Sequence, residues 1–249
     1  MVLLALIKHM LSVIFILQGS TPDAKEIMAK AEKKMQGESN RSEMTMTIER
    51  PDWSREIGIT TWSKGIKLSI ILITSPARDK GSAFLKRNKE IWNWQPRIDR
   101  TIKLPPSMMM QSWMGSDFSN DDLVKESSIS NDYYHSYLKD TLIENYQCYK
   151  IELLPKEDAP VVWGKIHAYV EKEEYFQLLV KYFDEDGFQV NTMILSDVKE
   201  MGGRLLPTRL EMIPTEEEDR KTVIVYNHME FDFPIQDDFF SLQNMKKVR

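Results

Sequence analysis

The sequence predicts a mainly β protein of the α+β class. It expects a single antiparallel sheet, curled into an unclosed barrel, with its concave face covered by an N-terminal helix and a central helical lid. Three observations carry this. From Ser42 onward apolar residues alternate with polar ones at a period of two. The runs are joined by short Pro- and Gly-containing turns with no helix between them, as an antiparallel meander requires. The two exceptions are one amphipathic helix ahead of the strands and one Met-rich break at their centre. Roughly eleven to thirteen strands are expected, and a sheet that wide accumulates twist until it curls, splits or closes.

The first segment differs from all that follows. Met1–Leu17 (MVLLALIKHMLSVIFIL) is apolar apart from Lys8, His9 and Ser12, and Gln18, Gly19 and Ser20 come next. A basic point, a short apolar run and small residues describe a secretory signal peptide, assigned to residues 1–20. The run Met10–Leu17 is shorter than the roughly 20 residues that span a bilayer. A start at Met10 with an upstream extension, a retained anchor and a buried core helix are the alternatives. Residues 21–249 are expected to form one domain.

Pro22–Gln36 reads as a helix. Thr21-Pro22-Asp23 supplies its start, Ile27, Met28, Ala31 and Met35 its apolar stripe, and Gly37 its end. Met44, Met46 and Ile48 then alternate with Glu43, Thr45, Thr47 and Glu49. Pro51-Asp52 turns the chain, Ile57 and Ile59 mark the next strand, and Lys64-Gly65 the next turn. Leu68–Ile73 (LSIILI) is apolar on both faces, as in a strand covered on both sides or lining a cavity. Strands follow at Ser82–Arg87, Ile91–Gln95 and Ile98–Leu104. Pro105–Ser136 is not strand-like: Ser107–Trp113 suits one or two helical turns, and Ser119-Asn120-Asp121-Asp122 caps a short helix through Val124. Strands resume at Asp140–Glu144 and Gln147–Leu154. Five longer ones come last: Val161–Val170, Tyr175–Phe183, Phe188–Val198, Arg204–Ile213 and Thr222–Phe231. Asp186-Gly187 and Gly202-Gly203 supply the positive φ of tight turns. The tail carries Phe239, Phe240 and Leu242, then a basic end.

Composition excludes some classes of function. The 249 residues carry a formal net charge of −5, with no general basic footprint for nucleic acid. The single cysteine, Cys148, allows no internal disulfide. An exported chain without that constraint, and with its cysteine far from any lipid-attachment position, is expected to be a soluble periplasmic monomer.

No nucleophile elbow, zinc-binding His pair, phosphate-binding Gly loop or Cys pair is present, so no enzyme, metal or cofactor is expected. His135, His167 and His228 are scattered along the chain. Asp121-Asp122 fits a helix cap as well as a carboxylate pair, and Asp184-Glu185-Asp186-Gly187 fits a hairpin turn better than a calcium loop.

The stretch Gly81–Glu126 stands apart. It holds Trp92, Trp94 and Trp113, then Met108, Met109, Met110, Met114 and Phe118 in a break between strands. Methionine suits surfaces that fit varied apolar shapes. Lys86, Arg87, Lys89, Arg97, Arg100 and Lys103 form a basic cluster beside the tryptophans. Single-stranded nucleic acid, an anionic lipid headgroup, a lipoprotein's acidic partner and a solvated, charge-protected strand edge all fit it. The exported, acidic context favours the lipid or the acidic partner over the nucleic acid.

Within this stretch the sequence resembles the LolA-like outer-membrane lipoprotein-sorting proteins. The resemblance rests on Gly81, Phe84-Leu85-Lys86, Asn88, Ile91-Trp92, Trp94, Pro96, Arg100 and Ile102-Lys103-Leu104-Pro105. It continues through Gly115-Ser116-Asp117-Phe118-Ser119 to Asp122-Leu123. It implies an unclosed barrel with a helical lid over an apolar cavity, and a periplasmic carrier that shields acyl chains of lipoproteins or lipids. An inner-membrane transporter would be the donor and an outer-membrane protein the acceptor. A membrane-tethered sensor of the same fold, binding a lipidated or mislocalised protein, is the alternative. Period-two alternation places Met44, Met46, Ile57, Ile59, Leu68, Ile70, Trp92, Trp94, Leu178 and Val180 on the concave, lipid-facing side. Met108, Met109, Trp113, Met114 and Phe118 are assigned to the lid. Arg97, Arg100 and Lys103 form a rim, and the resemblance makes Arg100 the candidate for a lid-pinning arginine.

Overall fold

The computed structural model describes residues 23–248, apart from 89, 125–128, 158, 160 and 218. The signal-peptide assignment, the Thr21-Pro22 part of the expected helix start and Lys89 of the basic cluster lie outside the described residues.

Helix α1 spans Ala24–Gln36. The Asp23 carboxylate accepts the Lys25 and Glu26 N–H groups at 2.9 and 3.2 Å, satisfying two otherwise unpaired donors. Glu26 in the first turn and Lys33 and Lys34 in the last complement the helix dipole. Gly37, at φ +64°, stops the helix in a conformation that a Cβ would strain. The buried stripe is Ala24, Ile27, Met28 and Ala31, with Met35 half-buried.

Among the described residues thirteen strands form one antiparallel sheet. They are β1 (Ser39–Arg50), β2 (Trp53–Lys64), β3 (Leu68–Ser75), β4 (Ala83–Arg87), β5 (Glu90–Gln95), β6 (Arg100–Leu104) and β7 (Tyr133–Ile143). The rest are β8 (Tyr146–Pro155), β9 (Lys165–Glu171), β10 (Gln177–Phe183), β11 (Gln189–Met201), β12 (Arg204–Pro214) and β13 (Lys221–Phe231). The spatial order is β6-β5-β4-β3-β2-β1-β13-β12-β11-β10-β9-β8-β7. The chain therefore starts at the centre of the sheet, works outward to one free edge, reappears at the other and works back to pair β13 with β1. The edges β6 and β7 are neighbours in sequence, so the segment joining them runs from one lip of the open barrel to the other. It carries α2 (Asn120–Val124) and α3 (Ile129–Asp132). A last short helix, α4, spans Leu242–Met245.

Turn chemistry follows the sequence where it is local. Gly202 and Gly203, both at positive φ, close the β11–β12 hairpin, as a tight turn matching strand twist requires. Boundaries move where pairing decides them. β7 begins at Tyr133 rather than Asp140, because Tyr133–Tyr137 pair in register with Pro155–Ile151 of β8. β9 begins at Lys165 rather than Val161. Gly164 packs so closely on the Asp184–Glu185 backbone that a Cβ would lie 2.4 Å from the Asp184 carbonyl oxygen. Ile98 falls in a short 3₁₀ turn, and Asp99 takes the left-handed conformation before β6.

The sheet has two differently filled faces. The main cluster, on the concave face, joins Met44, Met46, Ile48, Ile57, Ile59, Ile71, Ile73 and Phe84 to Val180, Met212 and Ile224, beneath Ile27 and Met28 of α1. Each fully buried aliphatic side chain contributes about 1.5–3 kcal/mol by leaving water. On the convex face, Trp62, Ile70, Leu72, Leu85 and Trp94 pack against the tail residues Phe240, Met245 and Val248. A smaller cluster gathers Cys148, Tyr169, Phe176 and Leu178.

Candidate functional site

A cavity of about 280 Å³ lies between the concave face, α1 and the lid segment. Met28, Ala31 and Met35 of α1 form one wall, with Met44, Ile59 and Ile71 of the sheet opposite and Phe118 and Leu123 from the lid. Leu195, Leu210 and Ile224 extend the lining onto the other half of the sheet. The tyrosines Tyr133, Tyr182 and Tyr226 add phenols to it. Burial pushes the Tyr226 phenol up to about 12 and raises Tyr182 well above its ordinary value, so both stay neutral.

The lid is held by buried electrostatics. Asp117 sits in the turn Gly115-Ser116-Asp117-Phe118, its side chain almost wholly buried. Arg50, at the end of β1, donates to both Asp117 oxygens at 3.0 and 3.1 Å and to the Gly115 carbonyl at 3.0 Å. Arg220 donates twice to Asp117 Oδ1, at 3.0 and 2.8 Å. The Thr222 hydroxyl donates to Asp117 Oδ2 at 2.7 Å and accepts the Asp117 N–H at 3.0 Å. Two guanidiniums on one carboxylate form strong charge-assisted bonds. Arg55 donates to the Met114 carbonyl at 3.3 Å. Next to this latch, Trp113 is fully buried with its ring 5.5 Å from that of Phe84.

The start of α2 is built from a side-chain exchange. The Ser119 N–H and hydroxyl both donate to Asp122 Oδ2 at 2.8 Å, and the Asp122 N–H donates back to the Ser119 hydroxyl at 3.1 Å. Trp163 Nε1 donates to Asp122 Oδ1 at 3.3 Å. Burial nonetheless raises the Asp122 carboxyl above its ordinary value, against the lowering effect of these donors. Asp122 thus forms the helix cap with Ser119.

The residues expected to face lipid divide between the two faces. Met44, Met46, Ile57, Ile59 and Val180 lie in the concave cluster, together with Met109, Trp113 and Phe118 of the lid. Met108 and Met114 are partly buried against it. Ile70 and Trp94 instead belong to the convex cluster, with Leu68 and Trp92 packed against it; Leu68 also reaches the cavity. Leu178 lies in the small Cys148 cluster. The register explains the tryptophans: Trp92 and Trp94 pair with Leu85 and Ala83, which share the convex side with Ile70 and Leu72. Alternation gives two parities, and the tail, far away in sequence, selects the one that tryptophan covers. Arg97 and Arg100 are exposed at the β5–β6 turn, and Lys103 pairs with Glu90 on the surface. Among the described residues no hydrogen bond or ion pair joins these three to the lid; Arg50, Arg55 and Arg220 make the contacts described above. Asp117 was visible in the sequence motif, but its partners stand 67 and 103 residues away, beyond any local signal.

Among the described residues no group of three or more His, Cys, Asp or Glu is placed to hold a metal ion. No helix among them is long and apolar enough to cross a membrane.

Comparison with known proteins places this geometry. A protein-family model described as "Uncharacterized protein" matches residues 65–247. No curated protein matches the chain. A LolA superfamily protein from Nitrosomonas europaea superposes with a TM-score of 0.77 at 21% identity, covering 90% of this chain and 99% of its own. A DUF1329 family protein from Desulfovibrio piger reaches 0.80 at 20% identity, covering 89% and 97%. A putative outer membrane lipoprotein-sorting protein domain from Vibrio parahaemolyticus reaches 0.78 at 18%, covering 90% and 98%. The chain belongs to the family whose model spans residues 65–247, and its fold is LolA-like.

Proposed function

We propose that the protein is a periplasmic carrier that takes up acyl chains of lipoproteins or lipids in its cavity and passes them towards the outer membrane. The observation that carries this is the apolar cavity closed by a cover that is held through polar contacts. An acyl chain loses about 0.8 kcal/mol of favourable transfer energy per CH₂ when exposed to water. A carrier must offset that loss without a covalent bond, so it needs enclosure, and it must also release the cargo. A cover fixed by hydrogen bonds and charges can open onto water, where those groups find new partners. A cover fixed only by apolar packing would expose grease each time it opened.

The likeness to the Vibrio parahaemolyticus lipoprotein-sorting domain supports lipoprotein sorting as the setting, and the signal-like residues 1–20 support export. In this reading residues 21–249 work as one monomeric lipid-binding unit. An inner-membrane transporter loads it and an outer-membrane acceptor empties it. It performs no catalysis and uses no cofactor. The test is titration with the neutral fluorescent probe N-phenyl-1-naphthylamine, with native mass spectrometry of protein isolated from its own periplasm. Saturable probe binding and a co-purifying lipid mass are expected. A protein that binds no probe and carries no lipid overturns the reading.

A further inference from the structure

The concave face is graded along the barrel axis. Asn40, Ser63, Ser69 and Lys86 are register partners in a single row across β1, β2, β3 and β4. The next row is Ser42, Thr61, Ile71 and Phe84, and the one beyond is Met44, Ile59 and Ile73. The lining thus passes from polar to mixed to apolar in four residues of β1, about 13 Å of strand. All four members of the polar row line the cavity.

Two features of that row bear on what the cavity would hold. Lys86 is buried, at 5% exposure, on the inward side of β4, while its neighbour Arg87 is exposed. Burial disfavours an ammonium unless oxygen atoms surround it, and lysine is almost never buried for packing alone. The Ser63 hydroxyl is buried with no hydrogen-bond partner. Buried hydroxyls are normally satisfied, and this orphan belongs to a residue of the cavity wall, where a small shift of the wall would present it to a ligand atom.

From these observations we infer that the row Asn40–Ser63–Ser69–Lys86 is a headgroup subsite for the anionic group, carboxylate or phosphate, of a lipid amphiphile. The inference rests on the carrier reading above and specifies its cargo. The Lys86 ammonium supplies charge, and the Ser63 and Ser69 hydroxyls supply donors. The alkyl chain then runs over Ile71, Ile59 and Met44 towards Phe118 of the lid. Lys86 already has an interaction within the fold, and the inference does not require otherwise, because an ammonium carries three donors. The carboxylates lining the same cavity are engaged as well: Glu32 accepts from the Ser130 hydroxyl at 2.6 Å, Asp122 from Ser119 and Trp163, and Asp121 has a partner of its own.

The test displaces N-phenyl-1-naphthylamine with laurate, dodecyl phosphate and dodecanol, all below their aggregation limits, from the full chain and from Lys86→Met and Ser63→Ala. The three competitors share one chain and differ at the head. Lys86→Met should weaken the anions about tenfold, the value of one charge-assisted hydrogen bond, and leave dodecanol unchanged. Ser63→Ala removes no internal hydrogen bond, so it should fold as the parent does, and it should weaken the anions about threefold. Loss confined to laurate assigns the subsite to carboxylates, and loss confined to dodecyl phosphate assigns it to phosphates. Equal weakening of dodecanol, or no weakening of either anion in both variants, overturns the subsite while leaving the cavity as an acyl site. Failure of all three to displace the probe from the parent chain overturns the subsite. Failure of the probe itself to bind overturns the carrier reading with it.

Discussion

Two greasy segments cover this sheet, and they are built in opposite ways. The tail after β13 lies on the convex face. Its Phe240 is fully buried, the Phe239 ring lies tilted 5.8 Å from that of Trp62, and Lys246 sits 4.5 Å from the Trp94 ring. The lid after β6 lies on the concave face. It also buries aromatic and methionine side chains, but it is fixed by Asp117 between Arg50 and Arg220 and it borders a cavity. The tail completes a core. The lid closes a space, through apolar packing and through polar contacts that water can replace. Apolar packing suits a permanent cover, whereas charge and hydrogen bonds suit a removable one, because only polar groups can be exposed repeatedly without a large transfer cost.

The largest effect expected from breaking this contrast is on the tail. Phe240→Ala should destabilise the whole protein by about 3–5 kcal/mol in urea unfolding, as truncation of a fully buried aromatic does. A loss below about 1 kcal/mol would show that the tail is an ornament rather than part of the core. Asp117→Ala comes next. It strands two arginines, so it should cost roughly 2–3 kcal/mol, less than a fully buried pair because Arg220 is partly exposed. It should also speed both uptake and release of N-phenyl-1-naphthylamine in stopped flow, while Phe240→Ala should not do so selectively. Equal probe kinetics in the two variants would remove the distinction between cover and core.

The smallest effect concerns pH. His135 Nε2 lies 2.9 Å from the Ile129 carbonyl of α3, on the lid side. Burial lowers the ring below the ordinary histidine value, outweighing the hydrogen bond that favours the charged form. The folded state therefore binds this proton less readily than the unfolded chain. The His135 contribution is present above about pH 6.5 and is lost as the pH falls through the lowered folded value. Amide protection factors at residues 129–133 should fall between pH 7 and pH 5 while those at residues 239–245 stay unchanged. His135→Gln should abolish the difference; a parallel change in the tail would assign it to global unfolding.

Much of this was legible in the chain. Helix α1, with its cap and stop, is written locally by Asp23, the stripe Ile27-Met28-Ala31 and Gly37. The antiparallel meander follows from alternation and turn residues, and the Ser119–Asp122 cap from its own spacing. The inward positions of Met44, Met46, Ile57 and Ile59 follow from parity, because their alternate neighbours Glu43, Thr45, Thr47, Glu56, Gly58 and Thr60 are not apolar. Parity failed at Leu68–Ile73 and at Trp92 and Trp94, where both faces are covered and alternation gives no preference. The arginines that hold Asp117 were missed because no short-range pattern joins residues 50, 117 and 220. Arg97, Arg100 and Lys103 were attractive only through closeness in sequence to the tryptophans.

By itself the sequence determined element types, turn positions and the resemblance to LolA-like proteins, because these depend on periods of two or 3.6 residues and on single-residue backbone preferences. Tertiary structure alone decided which face the tryptophans cover, which arginines meet Asp117 and that Lys86 turns inward away from its basic neighbours. Those outcomes depend on strand register and on contacts between segments far apart in the chain, and no local pattern encodes them.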